Sequence, residues 1–504
     1  MTVPRPDYDR RSGRDPKTVP ATAAGVVWPG LCRALVFLGI GAALLALLFE
    51  CRGYLLSGLY LDHIEGNVVI AGWQYLQGGA LYGLDAGIPR LATYYGPLAY
   101  LAPLPPLLLL GPSVAASKLT SVLALAATIA AMGFHFFRQR PREAAAPAFL
   151  ILVAGLLLFS PVSFWVRSDP LETLLVALAV AAASSRKRGW RVGACIGLAV
   201  NLKLHAFAYF LPLLVDLCCR DGRRALLVAA SLAGLTFILP FFAPGIDFGD
   251  YIQSLAAQVG GRTPSPGLLA AVVPLLLLLL IPIAVPLAAW EQPREARIYG
   301  LAALATAALL LYPATFPGAG PYHFLPLVPV LADVRSRLRS AGPADLLPVA
   351  IVVLGCVTAH RVLHDLAVNR NAAAVSAAAL RLVRDSPVRP VEIGYGDSLP
   401  SYEAAQLSRT VLVLNAYPVS FDAQVLMELK EIGIDGSARW VPELTRCRVR
   451  RWLVPKGEAP FALRSFFYDG RMLFDDKFRR AFLANYKRVD STGPFDVWDC
   501  AHPS

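Results

Sequence analysis

Charge is scarce in this chain: 16% of its 504 residues are Asp, Glu, Lys or Arg, and 56% are hydrophobic. Soluble domains carry about 25% charged residues, and with a mean hydropathy of +0.53 this composition excludes a soluble globular protein. Metal-framework cysteines are missing too, because none of the eight cysteines forms a C-x-x-C pair and Cys218 and Cys219 simply abut. Only Cys447 and Cys500 fall in the polar C-terminal region, where a disulfide is allowed if that region lies outside the cytoplasm. The opening MTVPRPDYDRRSGRDPK has no apolar core, so it is expected to be a polar tail before an uncleaved anchor and not a cleavable signal peptide. There is no internal repeat. The net charge of +12 does not indicate a nucleic-acid partner, since much of it sits in short loops between apolar runs.

The apolar runs themselves are abundant. Stretches 33–49, 117–137, 147–166, 224–243, 267–290 and 345–359 approach the roughly 20 residues needed to cross a bilayer, with shorter runs between them. The run YYGPLAYLAPLPPLLLLGP at 94–112 is the exception. Its prolines remove helical hydrogen bonds that lipid cannot replace, so it is expected to be a juxtamembrane or re-entrant segment.

With that choice the N-terminal tail, RQRPRE (138–143), SRKRGWR (185–191), CRDGRR (219–224), EQPREAR (291–297) and VRSRLRS (334–340) all face one side. The positive-inside rule makes that side the cytoplasm. The expected fold class is an all-α polytopic membrane protein of about eleven transmembrane helices with a C-terminal α/β extracytoplasmic domain. Residues 1–30 read as a disordered cytoplasmic tail, 31–360 as the transmembrane domain with a first outer loop at 51–116, and 361–504 as the outer domain. In that domain VLVLNAYP (411–418) and RVRRWLVP (448–455) look β-like, while 419–434 and 478–486 look helical.

This sidedness gathers polar residues on the outer face. Asp62 and Glu65 in YLDHIEGN share one face if 62–77 is helical, and are either solvated loop acids capping that helix or functional carboxylates. In RSDPLE, Asp169, Pro170 and Glu172 suit a capping box. Arg167 nearby makes a functional reading equally available. Lys203 and His205 in NLKLHAFAYFLP either snorkel or face water, and His323 follows the Gly/Pro-rich loop PGAG. Aromatic residues such as Tyr95 could stack on a sugar or belong to the interfacial belt. Acids, cations and histidines beside lipid suit an anionic lipid headgroup. General-base chemistry needs a carboxylate, and a phosphate leaving group needs cations or a metal.

In order and sidedness, YLDHIEGN, GWQYLQGGALYG, YYGPLAYLAP, the outward DPLE, NLKLHAFAYFLP and GPYHFLPLVPV resemble the GT-C superfamily of integral-membrane glycosyltransferases. That group includes aminoarabinose and protein O-mannosyl transferases. The likeness covers roughly residues 30–335. It implies a polyprenyl-phosphate-linked sugar as donor and attack by an acceptor on the outer side, usually with inversion. By position, Asp62 matches the general base, Glu65 a helper or metal ligand, and Asp169 with Glu172 an acceptor-orienting or metal-binding pair. Some relatives place a lysine before the loop prolines to grip phosphate, whereas here Gly96 precedes Pro97. Arg90, Arg167, Lys203 and His205 are the substitutes, with Tyr95 and His323 completing the expected substrate site.

The expected function is therefore transfer of a sugar to a lipid, glycan or protein at the outer face of a bacterial inner membrane. Membrane lipids are partners and nucleic acid is not. A divalent metal stays open, with Asp62, Glu65 and Asp169 as its candidate ligands. The rival reading is a transporter or flippase of lipid-linked sugars, which would place acids deep within spans.

Overall fold

The computed structural model describes residues 30–502 except 86, 87, 90, 184–187, 260–262, 290, 340–344, 420, 421, 432 and 466–469. The expected N-terminal tail and Arg90 therefore lie outside the described residues.

Among the described residues six helices are long and apolar enough to cross a membrane: Gly30–Leu56, Val114–Gln139, Leu204–Phe242, Pro266–Ala288, Arg294–Ala314 and Leu347–Asp385. Leucines 38, 48, 109, 227 and 239 are exposed on the outside of the bundle, the pattern of a protein whose solvent is lipid. Helix Arg142–Leu158 is shorter and almost wholly buried, packed against Gly30–Leu56, Val328–Arg337 and Leu347–Val368. The proline-rich run forms two short helices, Pro97–Leu101 and Leu104–Leu110. End to end this stretch spans about 21 Å at 1.5 Å per residue, well short of the roughly 30 Å hydrocarbon core.

Chain reversals follow the special residues. Within Leu211–Ile238 the helix breaks at Gly222, whose φ of 74° lies in the left-handed region that glycine alone adopts freely. Beyond Leu202 a 3₁₀ segment, Leu204–Phe210, restarts the chain, and a second one, Pro321–Leu327, precedes Val328–Arg337.

One end of the bundle is tied by charge. Asp333, fully buried, meets Arg337 at 2.7 Å and His135 at 3.2 Å, and Arg337 also reaches Asp216 at 3.1 Å. The basic run at 334–340 is thus partly interior, Arg335 being 1% exposed and paired with Asp345.

The C-terminal domain holds a four-stranded sheet. Val391–Ile393 pairs in parallel with Arg451–Pro455, which pairs antiparallel with Phe495–Cys500, itself antiparallel to Tyr486–Thr492. Trp452 packs edge-on to Phe461, Phe482 and Tyr486 in its core, and Cys447 is disulfide-bonded to Cys500. The expected strand at 411–418 is not one: residues 411–414 complete helix Leu399–Leu414, capped by the Ser398 hydroxyl. Its β-branched residues are helical because this helix packs against Arg370–Asp385 and His63–Leu76, and tertiary packing overrides propensity. The expected helices appear as Ala423–Glu431 and Asp476–Asn485, and the strand within 448–455 as Arg451–Pro455.

Candidate functional site

Asp62 is the N-cap of helix His63–Leu76, its Oδ1 accepting from the Ile64 amide at 2.6 Å. Glu65 completes a capping box and does more. Its Oε1 accepts from the amides of Leu61 at 2.6 Å and Asp62 at 3.0 Å, and its Oε2 from the Val166 amide at 2.7 Å and the Tyr54 hydroxyl. One buried carboxylate thereby joins the first spanning helix, the Asp62 turn and the segment leading to Arg167. Burial pushes the Glu65 carboxyl above its ordinary range, against the hydrogen bonds from Tyr54 and Val166 that favour the charged form.

The second oxygen of Asp62 turns to Arg167, with Nη1 3.1 Å away. Arg167 is 8% exposed; its guanidinium lies 4.2 Å from the Trp165 ring centre and donates to the Tyr322 hydroxyl at 3.4 Å. Its Nε is 3.7 Å from Asp169 Oδ2. Helix Ser168–Ala182 starts two residues earlier than a capping box at Asp169 requires, so its N-cap is Arg167 and Asp169 lies in its first turn. Its carboxylate instead accepts from Lys203 Nζ at 3.0 Å and from Trp165 Nε1 at 3.2 Å. Lys203 is therefore paired rather than snorkelling. Glu172 is fully buried one turn further along this helix.

The absence of a lysine at position 96 has a steric cause. A Cβ on Gly96 would lie 1.8 Å from the Asn201 carbonyl oxygen, because this segment docks on the end of helix Gly189–Leu202. The Gly96 amide donates to the Leu202 carbonyl at 3.1 Å, and the Leu98 amide to Asn201 Oδ1 at 3.0 Å. The next residue along that helix end is Lys203, whose ammonium stands 5.6 Å from the Tyr95 ring centre.

These groups share one cavity of about 1000 Å³, lined by Asp62, Tyr95, Arg167, Lys203, His205 and His323 among others. His323 Nδ1 and His205 Nε2 are 3.1 Å apart. Of the expected site residues, the structure thus brings six to the cavity wall. Glu65, Asp169 and Glu172 stand behind it, outside the lining. Apolar residues Leu204, Phe207, Leu268, Tyr312 and Phe316 also line the cavity, and Phe207 and Tyr312 are 50% and 63% exposed, so the polar pocket opens beside the lipid-facing surface.

The residues present do not fit a metal centre. Among the described residues no three of His, Cys, Asp and Glu converge on one point, and Asp62 and Asp169 already face Arg167 and Lys203. Tyr322, Gln424 and Glu428 also line the cavity and were not picked out from the sequence. Tyr322 adjoins His323 in the segment already noted, and Gln424 and Glu428 are four apart in a stretch with helical periodicity, which puts them on one face.

No protein-family model and no curated protein sequence matches this chain. Solved structures do. ArnT from Cupriavidus metallidurans bound to undecaprenyl phosphate is 13% identical, with a TM-score of 0.58 over 92% of this chain and 98% of that one. The same protein in its apo state is 13% identical, with a TM-score of 0.54 over 84% and 94%. The chain shares the fold of these ArnT structures. Coverage of 92% takes in the C-terminal region as well, so the likeness in fold extends beyond the 30–335 over which the motifs run.

Proposed function

We propose that this protein is a membrane glycosyltransferase that moves a sugar from a polyprenyl-phosphate donor to a lipid, glycan or protein acceptor. The observation that carries this reading is the amphiphilic cavity: a carboxylate and two cations, Asp62, Arg167 and Lys203, meet beside an exposed apolar rim. A lipid phosphate needs that combination, and the neighbour of like fold is ArnT bound to undecaprenyl phosphate.

In the proposed reaction Arg167 and Lys203 hold the donor phosphate. Arg167 is now held by Asp62, and an entering phosphate competes for the guanidinium and frees the carboxylate. Asp62 then takes the proton of the acceptor hydroxyl as its oxygen bonds to the anomeric carbon. The bond from that carbon to the phosphate oxygen breaks, and its electron pair leaves on the phosphate, where the two cations stabilise the charge. A single displacement inverts the anomeric centre. Glu65 positions Asp62, and Asp169 positions Lys203. The hydrocarbon tail would leave the cavity past Phe207, Tyr312 and Phe316. About eleven passes in a bacterial inner membrane, with the N-terminus cytoplasmic and the C-terminal domain outside, agree with the loop charges and with the Cys447–Cys500 disulfide.

The test is the glycolipid and envelope-glycan profile of a deletion strain. One sugar-bearing species should vanish, return with the wild-type chain and stay absent with Asp62→Asn. Restoration by Asp62→Asn would refute the assigned base.

A further inference from the structure

The cavity wall also receives two residues from the other domain, Gln424 and Glu428 of helix Ala423–Glu431. Both are nearly buried, 2% and 5% exposed, and they are held in a set orientation. Gln424 Nε2 donates to Glu428 Oε1 at 2.6 Å, and the Tyr402 hydroxyl donates to Gln424 Oε1 at 3.2 Å. Gln406 Nε2 in turn donates to the Tyr402 oxygen at 3.2 Å and to Asp422 Oδ1 at 2.9 Å, and Asp422 Oδ1 accepts from the Gln424 amide at 3.0 Å.

A carboxylate at this wall would repel a phosphate, so it has no place among the phosphate contacts. What it can do is accept. An ionised carboxylate offers about four lone-pair sites and no donor, and the groups that match it in a neutral ligand are hydroxyls. The aromatic planes of Tyr94 and Tyr95 line the same cavity and suit the faces of a sugar ring. The cavity's two cations come from the membrane domain, and the C-terminal domain adds a positioned carboxylate to that of Asp62.

We propose that Glu428 is the residue that reads the hydroxyl groups of the donor's uncharged, polyhydroxylated sugar, and that Gln424 is the positioning residue that aims it. This rests on the glycosyltransferase reading and deepens it, assigning sugar recognition to the C-terminal domain. A site built to hydrogen-bond a hydroxyl discriminates strongly against a ligand lacking one, so the role is measurable as preference for sugar-bearing over bare lipid phosphate.

The experiment isolates the full-length chain in native membrane discs and quantifies, by mass spectrometry, the bare and sugar-bearing polyprenyl phosphates that co-purify. Wild type should carry both. Glu428→Gln should lower the ratio of sugar-bearing to bare lipid at least tenfold while keeping the bare lipid. Gln424→Leu, which leaves the carboxylate but removes the amide holding it, should lower the ratio less. Arg167→Ala with Lys203→Ala should lose both lipids. A wild-type ratio in folded Glu428→Gln, or wild-type protein carrying only bare lipid, overturns the inference and leaves the transferase reading standing. Wild-type protein with no polyprenyl phosphate of either kind overturns the transferase reading, and the inference with it.

Discussion

Asp62 holds a helix end and faces a cation with the same side chain, and the two jobs separate by substitution. Asparagine caps helices about as well as aspartate, whereas alanine costs about 1 kcal/mol. Asp62→Asn keeps the cap but gives up the ion pair with Arg167, so it should lose transfer and some stability, and Asp62→Ala should lose transfer and about 1 kcal/mol more stability, as thermal unfolding in detergent alongside a transfer assay would show. Lys203 and Asp169 form a nearly buried pair, their side chains 12% and 1% exposed. Breaking such a pair from one side costs about 3 kcal/mol. Lys203→Met should show that loss, and Lys203→Met with Asp169→Asn should recover most of it; additive losses would mean the pair is not coupled. Asp62, Arg167 and Lys203 could be found in the sequence because ionisable residues at the edge of an apolar run are costly unless used. The partner of each could not. The motif RSDPLE allows Asp169 to cap its own helix, and only the fold brings Lys203, 34 positions away, close enough to take the carboxylate.

At the scale of elements, helix His63–Leu76 is gripped from two sides. Glu65 ties its start to Val166, and Gly66 packs so closely under helix Leu399–Leu414 that a Cβ there would meet the Thr410 hydroxyl at 2.6 Å. The cap of Leu399–Leu414 is itself buttressed by Glu458, which accepts from the Asp397 amide at 2.9 Å and from the hydroxyls of Ser398 and Ser401, each at 2.8 Å. Partial burial raises the Glu458 carboxyl, but these hydrogen bonds outweigh it and hold the group below its ordinary 4.5. A depressed folded value means that the stabilisation is present above the ordinary glutamate value and is lost as pH falls through the folded one. Glu458→Gln should speed hydrogen exchange of amides 399–414 relative to wild type at neutral pH, and the difference should disappear once wild-type Glu458 is protonated. A pH-independent difference would contradict the role. Five of the six long apolar helices overlap apolar runs read from the sequence, because length and hydropathy define them, whereas Arg294–Ala314 is not among those runs and the run at 147–166 falls on the shorter helix Arg142–Leu158. Leu399–Leu414 was not legible, since VLVL alone satisfies the strand pattern and its partners are supplied by distant parts of the chain.

Across the whole molecule the two ends of the bundle differ in kind. The Asp333 end closes on itself through Arg337, His135 and Asp216, while the Asp62 end opens into a cavity covered by the C-terminal domain. The proposed sidedness rests on the loop charges, and reporter fusions test it: a fusion at residue 140 should report cytoplasm and one at 400 the opposite side. Residue 140 outside would invert the account. The central claim is base catalysis by Asp62 on a lipid-phosphate donor held by Arg167 and Lys203. Its most direct test reconstitutes wild type and Asp62→Asn in vesicles made from the lipids of a deletion strain, following sugar transfer and polyprenyl-phosphate binding together. The account predicts binding in both proteins and transfer by wild type alone; transfer at the wild-type rate by Asp62→Asn would contradict it.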